Sequence, residues 1–234
     1  YSTSVNYALG NGTGGGLASN YSLAASTGVQ AIITPKALML SSQPMIASRA
    51  YDGTAVAGVA TIGSIVAGGF VGSETVTIAS HSVTALSSAN VGTYSTSVNY
   101  ALGNGTGGGL ASNYSLAPST GIQAIITPKA LMLSSQPMIA SRAYDGTAVA
   151  GVATIGSIVA GGFVGSETLT IASHIVTALS SANVGTYSTS VSYALGNGTG
   201  GGLASSNAHV CTTGIELNIT RQALLVTSQP MIAS

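Results

Sequence analysis

The chain is short of charge before anything else. Five basic and five acidic residues in 234 leave 4% charged positions, where an ordinary soluble domain carries about 25%. No surface field exists to gather nucleic acid, an anionic membrane or an acidic ligand. Hydration must therefore come from Ser, Thr, Asn and Gly, or from groups attached to them. Cysteine is also nearly absent: Cys211 stands alone, so no disulfide framework holds the chain. No signal peptide and no amphipathic helical pattern are visible.

What is present is repetition. Tyr94-Ser-Thr-Ser-Val98-Asn-Tyr100-Ala-Leu102 alternates Tyr94, Thr96, Val98, Tyr100 and Leu102 against Ser95, Ser97, Asn99 and Ala101, the pattern of a half-buried strand. The same stretch begins at Tyr1 and at Tyr187, and 94 − 1 and 187 − 94 both equal 93. Hydrophobic residues at 45% suffice to give each period its own core, and 93 residues is the size of a β-sandwich module. Residues 1–48 correspond to residues 187–234, so the sequence opens and closes inside a period and reads as a window onto a longer chain.

Along one period, the alternating strand leads into Gly10-Asn-Gly-Thr-Gly-Gly-Gly16, which reads as a flexible turn. Residues 18–23 read as a short strand with Tyr21 and Leu23 inward, and residues 29–33 as another. Pro35 cannot donate to a ladder and marks a junction before the strand 37–40. Tyr51-Asp52-Gly53-Thr54 is a tight turn, repeated at Tyr144, Asp145 and Gly146. The uncharged segment 55–72 reads as sheet rather than a membrane span, because its glycines make a poor helix. Strands at 74–78 and 81–86 complete the unit.

The third copy drifts after Ser205, with Asn207 for Tyr114 and His209 for Leu116, while Ile215, Leu217 and Ile219 keep the strand alternation. Roughly seven short strands per unit without a helix point to an all-β fold of tandem Ig-like β-sandwich repeats. A β-grasp-like repeat is the alternative, and it requires a helix that the pattern lacks.

Catalytic and ligand chemistry is poorly provided for. Each full unit has one Asp and one Glu, 22 positions apart at Asp52 and Glu74, too few for a calcium cage. His81 and His174 have no cysteine or acid cluster nearby, serines lack a nucleophile elbow, and the glycine loop lacks the Lys-Ser/Thr of a phosphate cradle. The chain reads as non-enzymatic, with no cofactor or metal. Lys36 or Lys129 with an Asn and Glu74 or Glu167 is a conceivable isopeptide set. Six Asn-x-Ser/Thr sequons, at Asn11, Asn20, Asn104, Asn113, Asn197 and Asn218, are candidate glycosylation sites.

The order of Ile33-Thr34-Pro35-Lys36-Ala37-Leu38, Tyr51-Asp52-Gly53-Thr54, Ile65-Val66-Ala67-Gly68, Asn90-Val91-Gly92-Thr93 and Ala111-Ser-Asn-Tyr-Ser-Leu116 resembles the YDG and MBG repeats of large secreted bacterial surface proteins. The resemblance implies the stalk of a filamentous-haemagglutinin-like adhesin, at the bacterial cell surface. It sets the units at 34–126 and 127–219, with the C-terminal part of a repeat at 1–33 and the N-terminal part of the next at 220–234. The expected function is a structural spacer or filament segment, possible glycans included, partnered by neighbouring repeats or copies of itself. The alternative is an adhesin module binding carbohydrate or host protein, in which Tyr7, Tyr21 and Tyr51 face solvent instead of sitting in cores.

Overall fold

The computed structural model describes residues 1–159, 162–208, 211–225 and 227. Among them there is no α-helix; strands and single 3-10 turns make up the regular structure. The first period contributes β1 (Ser2–Val5) and β2 (Ser26–Gln30), which pair antiparallel. There follow β3 (Lys36–Leu38), β4 (Met45–Ile46), β5 (Arg49–Ala50), β6 (Ala60–Thr61), β7 (Val76–Val83), β8 (Gly92–Asn104), β9 (Tyr114–Leu116) and β10 (Ser119–Thr127). One period on they recur as β11 (Lys129–Ala130), β12 (Met138–Ile139), β13 (Arg142–Ala143), β14 (Ala153–Thr154), β15 (Leu169–Val176), β16 (Gly185–Asn197), β17 (Asn207–Ala208) and β18 (Cys211–Thr220).

The chain divides into two compact units, one of Tyr1–Gln43, Ile62–Ser82 and Val98–Ser119, the other of Pro44–Thr61, Val83–Ser97 and Thr120–Ser234. In the second unit the main sheet has the order β13-β18-β16-β15. Its three long strands exist because their apolar residues fall on one face: along β18, Ile215, Leu217 and Ile219 are buried while Glu216, Asn218 and Thr220 are exposed. They meet Val191 and Tyr193 of β16, with Leu179, Ile139, Ala150 and Ala153 closing the core. Val191 is completely buried, and removing a side chain of that size from water is worth about 2 kcal/mol. Gly214, at φ 74°, lies beside the point where the β16–β18 register shifts between Thr189 and Val191, a bulge in mid-strand. The order β5-β10-β8-β7 reproduces the same sheet one period earlier.

The first unit has a smaller core of Leu38, Val76 and Tyr114, packed by Ile65, Phe70, Leu102 and Leu116. The Phe70 and Tyr114 rings meet edge to face at 5.8 Å between centroids.

Several expectations are corrected. Residues 81–86 do not form a separate strand, because β7 runs unbroken from Val76 to Val83. Residues 18–20 and 111–113 are 3-10 turns; no strand follows in the first copy, whereas β17 follows in the third and β9 in the second. Tyr114 is buried there, while Tyr21 and Leu23 are 69% and 55% exposed rather than inward. The segment 55–72 is mostly irregular, with a two-residue strand, β6, and one bridge from Ile65 to Leu40.

At Gly10–Gly16 no atom comes closer than 3.8 Å to an added Cβ, but in the second copy the glycine cluster is a turn held in close approach. β8 runs on through Gly103 to Asn104, and the loop behind it lies flat against Ser73 and Thr75. Thr75 donates to the Thr106 carbonyl at 3.0 Å, and the Thr106 N–H donates to Thr75 Oγ1 at 2.8 Å. A Cβ on Gly105, Gly107 or Gly109 would collide with the carbonyls of Thr75 or Ser73. Glycine is used for close approach, and the spacing of alternate glycines is its trace.

The pairing also includes parallel contacts that an antiparallel Ig sandwich would not have. β3 runs parallel to β9, β5 to β10, β11 to β17 and β13 to β18. Residues at the start of a period thereby pair with residues at its end. Among the described residues the helix of a β-grasp unit is absent.

Among the described residues one buried side-chain polar atom is unsatisfied: the Ser206 hydroxyl, fully buried, has no hydrogen-bond partner. Ser206→Ala is therefore expected to stabilise the fold by about 1 kcal/mol, seen as a rise in melting temperature. A loss of stability would mean that the hydroxyl is bonded in solution.

Candidate functional site

The residues that differ most from their surroundings lie at the Tyr-Asp-Gly turns. β5 ends at Ala50, held by parallel pairing to Ile126 and Thr127, and the Tyr51 N–H donates to the Thr127 carbonyl at 2.9 Å. The chain then turns at Gly53, whose φ is 77°. Asp52 Oδ1 accepts from the Thr54 N–H at 2.9 Å and the Thr54 hydroxyl at 2.7 Å, closing an Asx-turn. Those bonds, the hydroxyl's first, hold the Asp52 carboxyl below its usual range against the opposing effect of burial, with Arg49 adding to them.

Arg49 is the part of the turn that its sequence signature hides. Its guanidinium donates to Asp52 Oδ1 at 2.6 Å, to the Thr54 carbonyl at 2.6 Å and to the Val56 carbonyl at 2.9 Å. Arg142 repeats this with Asp145, Thr147 and Val149 at 2.5, 2.6 and 3.1 Å. Each Asp is 53% exposed, so the ion pair alone is worth well under about 1 kcal/mol. The three carbonyl bonds from a guanidinium only 19% exposed, the third to Ala50 or Ala143 at 3.4 Å, matter more. The sequence signal was available as Arg-Ala-Tyr-Asp-Gly-Thr, with Arg three positions before Asp in both copies.

Tyr51 and Tyr144 begin the same motif but have different environments. Tyr51 is 6% exposed, in a core with Ala57, Leu86, Ala124 and Ile126 against which Val164 of the following period packs. Its hydroxyl donates to Glu167 Oε1, also of the following period. That bond, then burial and the nearby carboxylates, pushes the Tyr51 phenol up to about 12. Gly53 leaves room for the same neighbour, since a Cβ there would come within 2.7 Å of Val164 Cγ1. Tyr144 is 40% exposed. The turn thus joins one period to the next.

Glu74, one period before Glu167, takes a different phenol. The Tyr114 hydroxyl donates to Glu74 Oε2 at 2.5 Å and accepts from the Val71 N–H at 3.1 Å. The carboxylate bond and burial push the Tyr114 phenol up, and the Val71 bond opposes them. In the third copy Asn207 replaces Tyr114 and donates to the Leu203 carbonyl at 3.1 Å.

The six sequon asparagines are exposed. Asn11, Asn104 and Asn197 each accept through Oδ1 from a backbone N–H seven residues on, at 2.7 to 2.8 Å. Asn218 Oδ1 accepts from the Thr186 hydroxyl at 2.6 Å. Asn20 and Asn113 end 3-10 turns. Of the residues weighed for an isopeptide bond, Lys36 reaches the Phe70 carbonyl at 3.5 Å, whereas Glu74 is engaged by Tyr114. His81 and His174 lie mid-strand in β7 and β15, while His209 is outside the described residues. No three of His, Cys, Asp and Glu cluster among the described residues. No helix there is long and apolar enough to cross a membrane, which says nothing of a β-barrel. In the second unit Gln136, Met138, Thr213 and Glu216 line an open groove.

The chain is all-β, and its first Tyr-Asp-Gly turn contacts residues of the following 93-residue period. A YDG domain is found at residues 34–121, and this stretch contains the first Arg-clamped turn whole. No curated protein gives a significant match to the chain. No solved structure does so either.

Proposed function

We propose that this chain is a non-catalytic structural segment of an extracellular bacterial fibre or adhesin stalk, built of tandem β-sandwich repeats of about 93 residues. The repeats run 34–126 and 127–219, with 1–33 and 220–234 belonging to flanking units; residues 226 and 228–234 lie outside the described residues. What supports this reading above all is the Tyr51–Glu167 contact, in which the YDG turn of one repeat is seated on the next. A repeat whose most specific side-chain contacts are spent on its neighbour acts as a spacer, and stability is shared between nearest neighbours. The near-absence of charge fits a surface hydrated by hydroxyls, amides and sugars, the last carried on the exposed Asn11, Asn20, Asn104, Asn113, Asn197 or Asn218.

Electron microscopy and intact mass on the native material test this together. The expected result is a thin filament with a regular axial repeat and a mass above that of the sequence. Isolated globular particles at sequence mass would contradict both the fibre and its glycans. The second reading, a module binding carbohydrate or host protein, draws on the groove at Gln136, Met138, Thr213 and Glu216 and on the exposed Tyr7 and Tyr21. It predicts saturable glycan or protein binding lost on Glu216→Ala.

A further inference from the structure

An asparagine followed by glycine is open to ring closure, because no Cβ shields the following nitrogen from the side-chain amide. The chain has three such pairs, Asn11-Gly12, Asn104-Gly105 and Asn197-Gly198, all in the glycine loop. In the second and third copies the fold keeps both reacting groups occupied and apart. Asn104 and Asn197 are the last residues of β8 and β16, and an extended backbone turns the next nitrogen away from a residue's own side chain. The Gly105 N–H donates to the Gly109 carbonyl at 3.0 Å, and the Gly198 N–H to the Gly202 carbonyl at 3.1 Å. The amide oxygens of Asn104 and Asn197 accept from the Ala111 and Ala204 N–H groups, each at 2.8 Å. Each loop is pinned in turn: Thr75 Oγ1 accepts from the Thr106 N–H, and Thr168 Oγ1 from the Thr199 N–H, both at 2.8 Å. The two bonds within the loop recur at Asn11, at 2.7 and 2.8 Å.

We propose that Asn104 and Asn197 are deamidation sites kept shut by the fold, and that modification of either requires its glycine loop to open. In the open loop the Gly105 or Gly198 nitrogen attacks the side-chain carbonyl carbon and gives up its proton. The amide nitrogen leaves as ammonia, and a succinimide ring remains. Water then opens the ring at one carbonyl or the other, giving aspartate or isoaspartate. Water enters and ammonia departs, with no oxidant or reductant. Either product removes the Asn of an Asn-Gly-Thr sequon and adds a carboxylate to a chain that has five acidic residues. Isoaspartate also lengthens the backbone by a carbon, in a loop where a Cβ on Gly105 or Gly198 would already strike the Thr75 or Thr168 carbonyl. A loop that stays open long enough to react is therefore not restored to its seat, and the modified residue records the opening. This chemistry does not depend on the chain's being a fibre segment.

The test follows the whole chain, its asparagines unmodified at the start, at neutral pH in buffer and in urea, by peptide mapping and charge separation. In urea both sites are expected to convert. In buffer each is expected to convert slower by about tenfold or more, because reaction waits on a rare local opening. Thr75→Val removes the hydroxyl that holds Thr106 and keeps the bond from the Thr75 N–H to the Thr106 carbonyl. With circular dichroism showing the fold kept, this variant in buffer is expected to speed conversion at Asn104 about fivefold, the worth of a single hydrogen bond, and to leave Asn197 unchanged. Equal rates for the unaltered chain in buffer and urea would overturn the proposal, as would an unfolded chain that keeps both amides. So would a folded Thr75→Val chain that speeds both sites alike, or neither.

Discussion

Gly109→Ala is expected to cost about 3 kcal/mol of unfolding free energy, enough to remove much of the stability of a marginal domain. Gly109 is buried, and its missing side chain makes room for the Thr75 carbonyl, a backbone atom that cannot step aside. Thr75 is in turn held by three hydrogen bonds to Thr106, so relief by local shift would break that lattice. Gly108→Ala is the control. Gly108 has φ 86° but open space around it, and its substitution is expected to cost only about 1 kcal/mol through the left-handed backbone. Urea denaturation of both variants distinguishes close approach from conformational freedom. Equal costs would restore the flexible-turn reading of this loop.

Arg142→Ala carries the second large effect, about 2 kcal/mol or more. The substitution withdraws donors from the Thr147 and Val149 carbonyls and from Asp145 Oδ1 at once, and the turn they form is left to the Asx bonds alone. Asp145→Asn keeps an Oδ1 acceptor and is expected to cost half as much or less. The asymmetry follows from geometry: three of the four partners of Arg142 are carbonyls, those of Ala143, Thr147 and Val149, not the carboxylate. If the two substitutions cost the same, the exposed ion pair rather than the carbonyl bonds holds the turn. The Asp145 carboxyl is held low first by the Thr147 N–H and hydroxyl, then by Arg142. Its contribution to stability is therefore present above the ordinary aspartate range near pH 3.8 and is lost as pH falls through the lowered value.

The alkaline side tests the joint. Tyr51 is raised from about 10 to about 12, so the folded state favours the neutral phenol. Its contribution is fully present below pH 10 and is lost as pH rises from there through about 12. Absorbance at the phenolate band is expected to show Tyr51 and Tyr114 titrating late, and Tyr51→Phe removes the Tyr51 part of that component. No late component would place Tyr51 in water.

The long strands were legible because their apolar residues alternate: Tyr94 to Leu102 in β8 and Ile215 to Ile219 in β18 have the faces their sequence requires. The two-residue strands β4 to β6 were not legible, since two residues cannot display a period. Parallel pairing of the start of a period with its end leaves no local trace, being fixed by tertiary closure. The glycine loop was misread because glycine has two uses, positive φ and close approach, and only the neighbour Thr75 decides between them. The Tyr-Asp-Gly turn is visible in the sequence as a turn, yet its contact with the following period depends on Val164 and Glu167, over a hundred residues away.

The spacer reading requires successive repeats to be coupled through the YDG turn. A double-mutant cycle on Tyr51→Phe and Glu167→Ala measures that coupling most directly. The account predicts that the two substitutions are non-additive by about 1 to 2 kcal/mol in unfolding free energy, the size of a hydrogen bond to a charged group. Additivity to within about 0.3 kcal/mol would contradict it, and the repeats would then be neighbours in the chain without being joined.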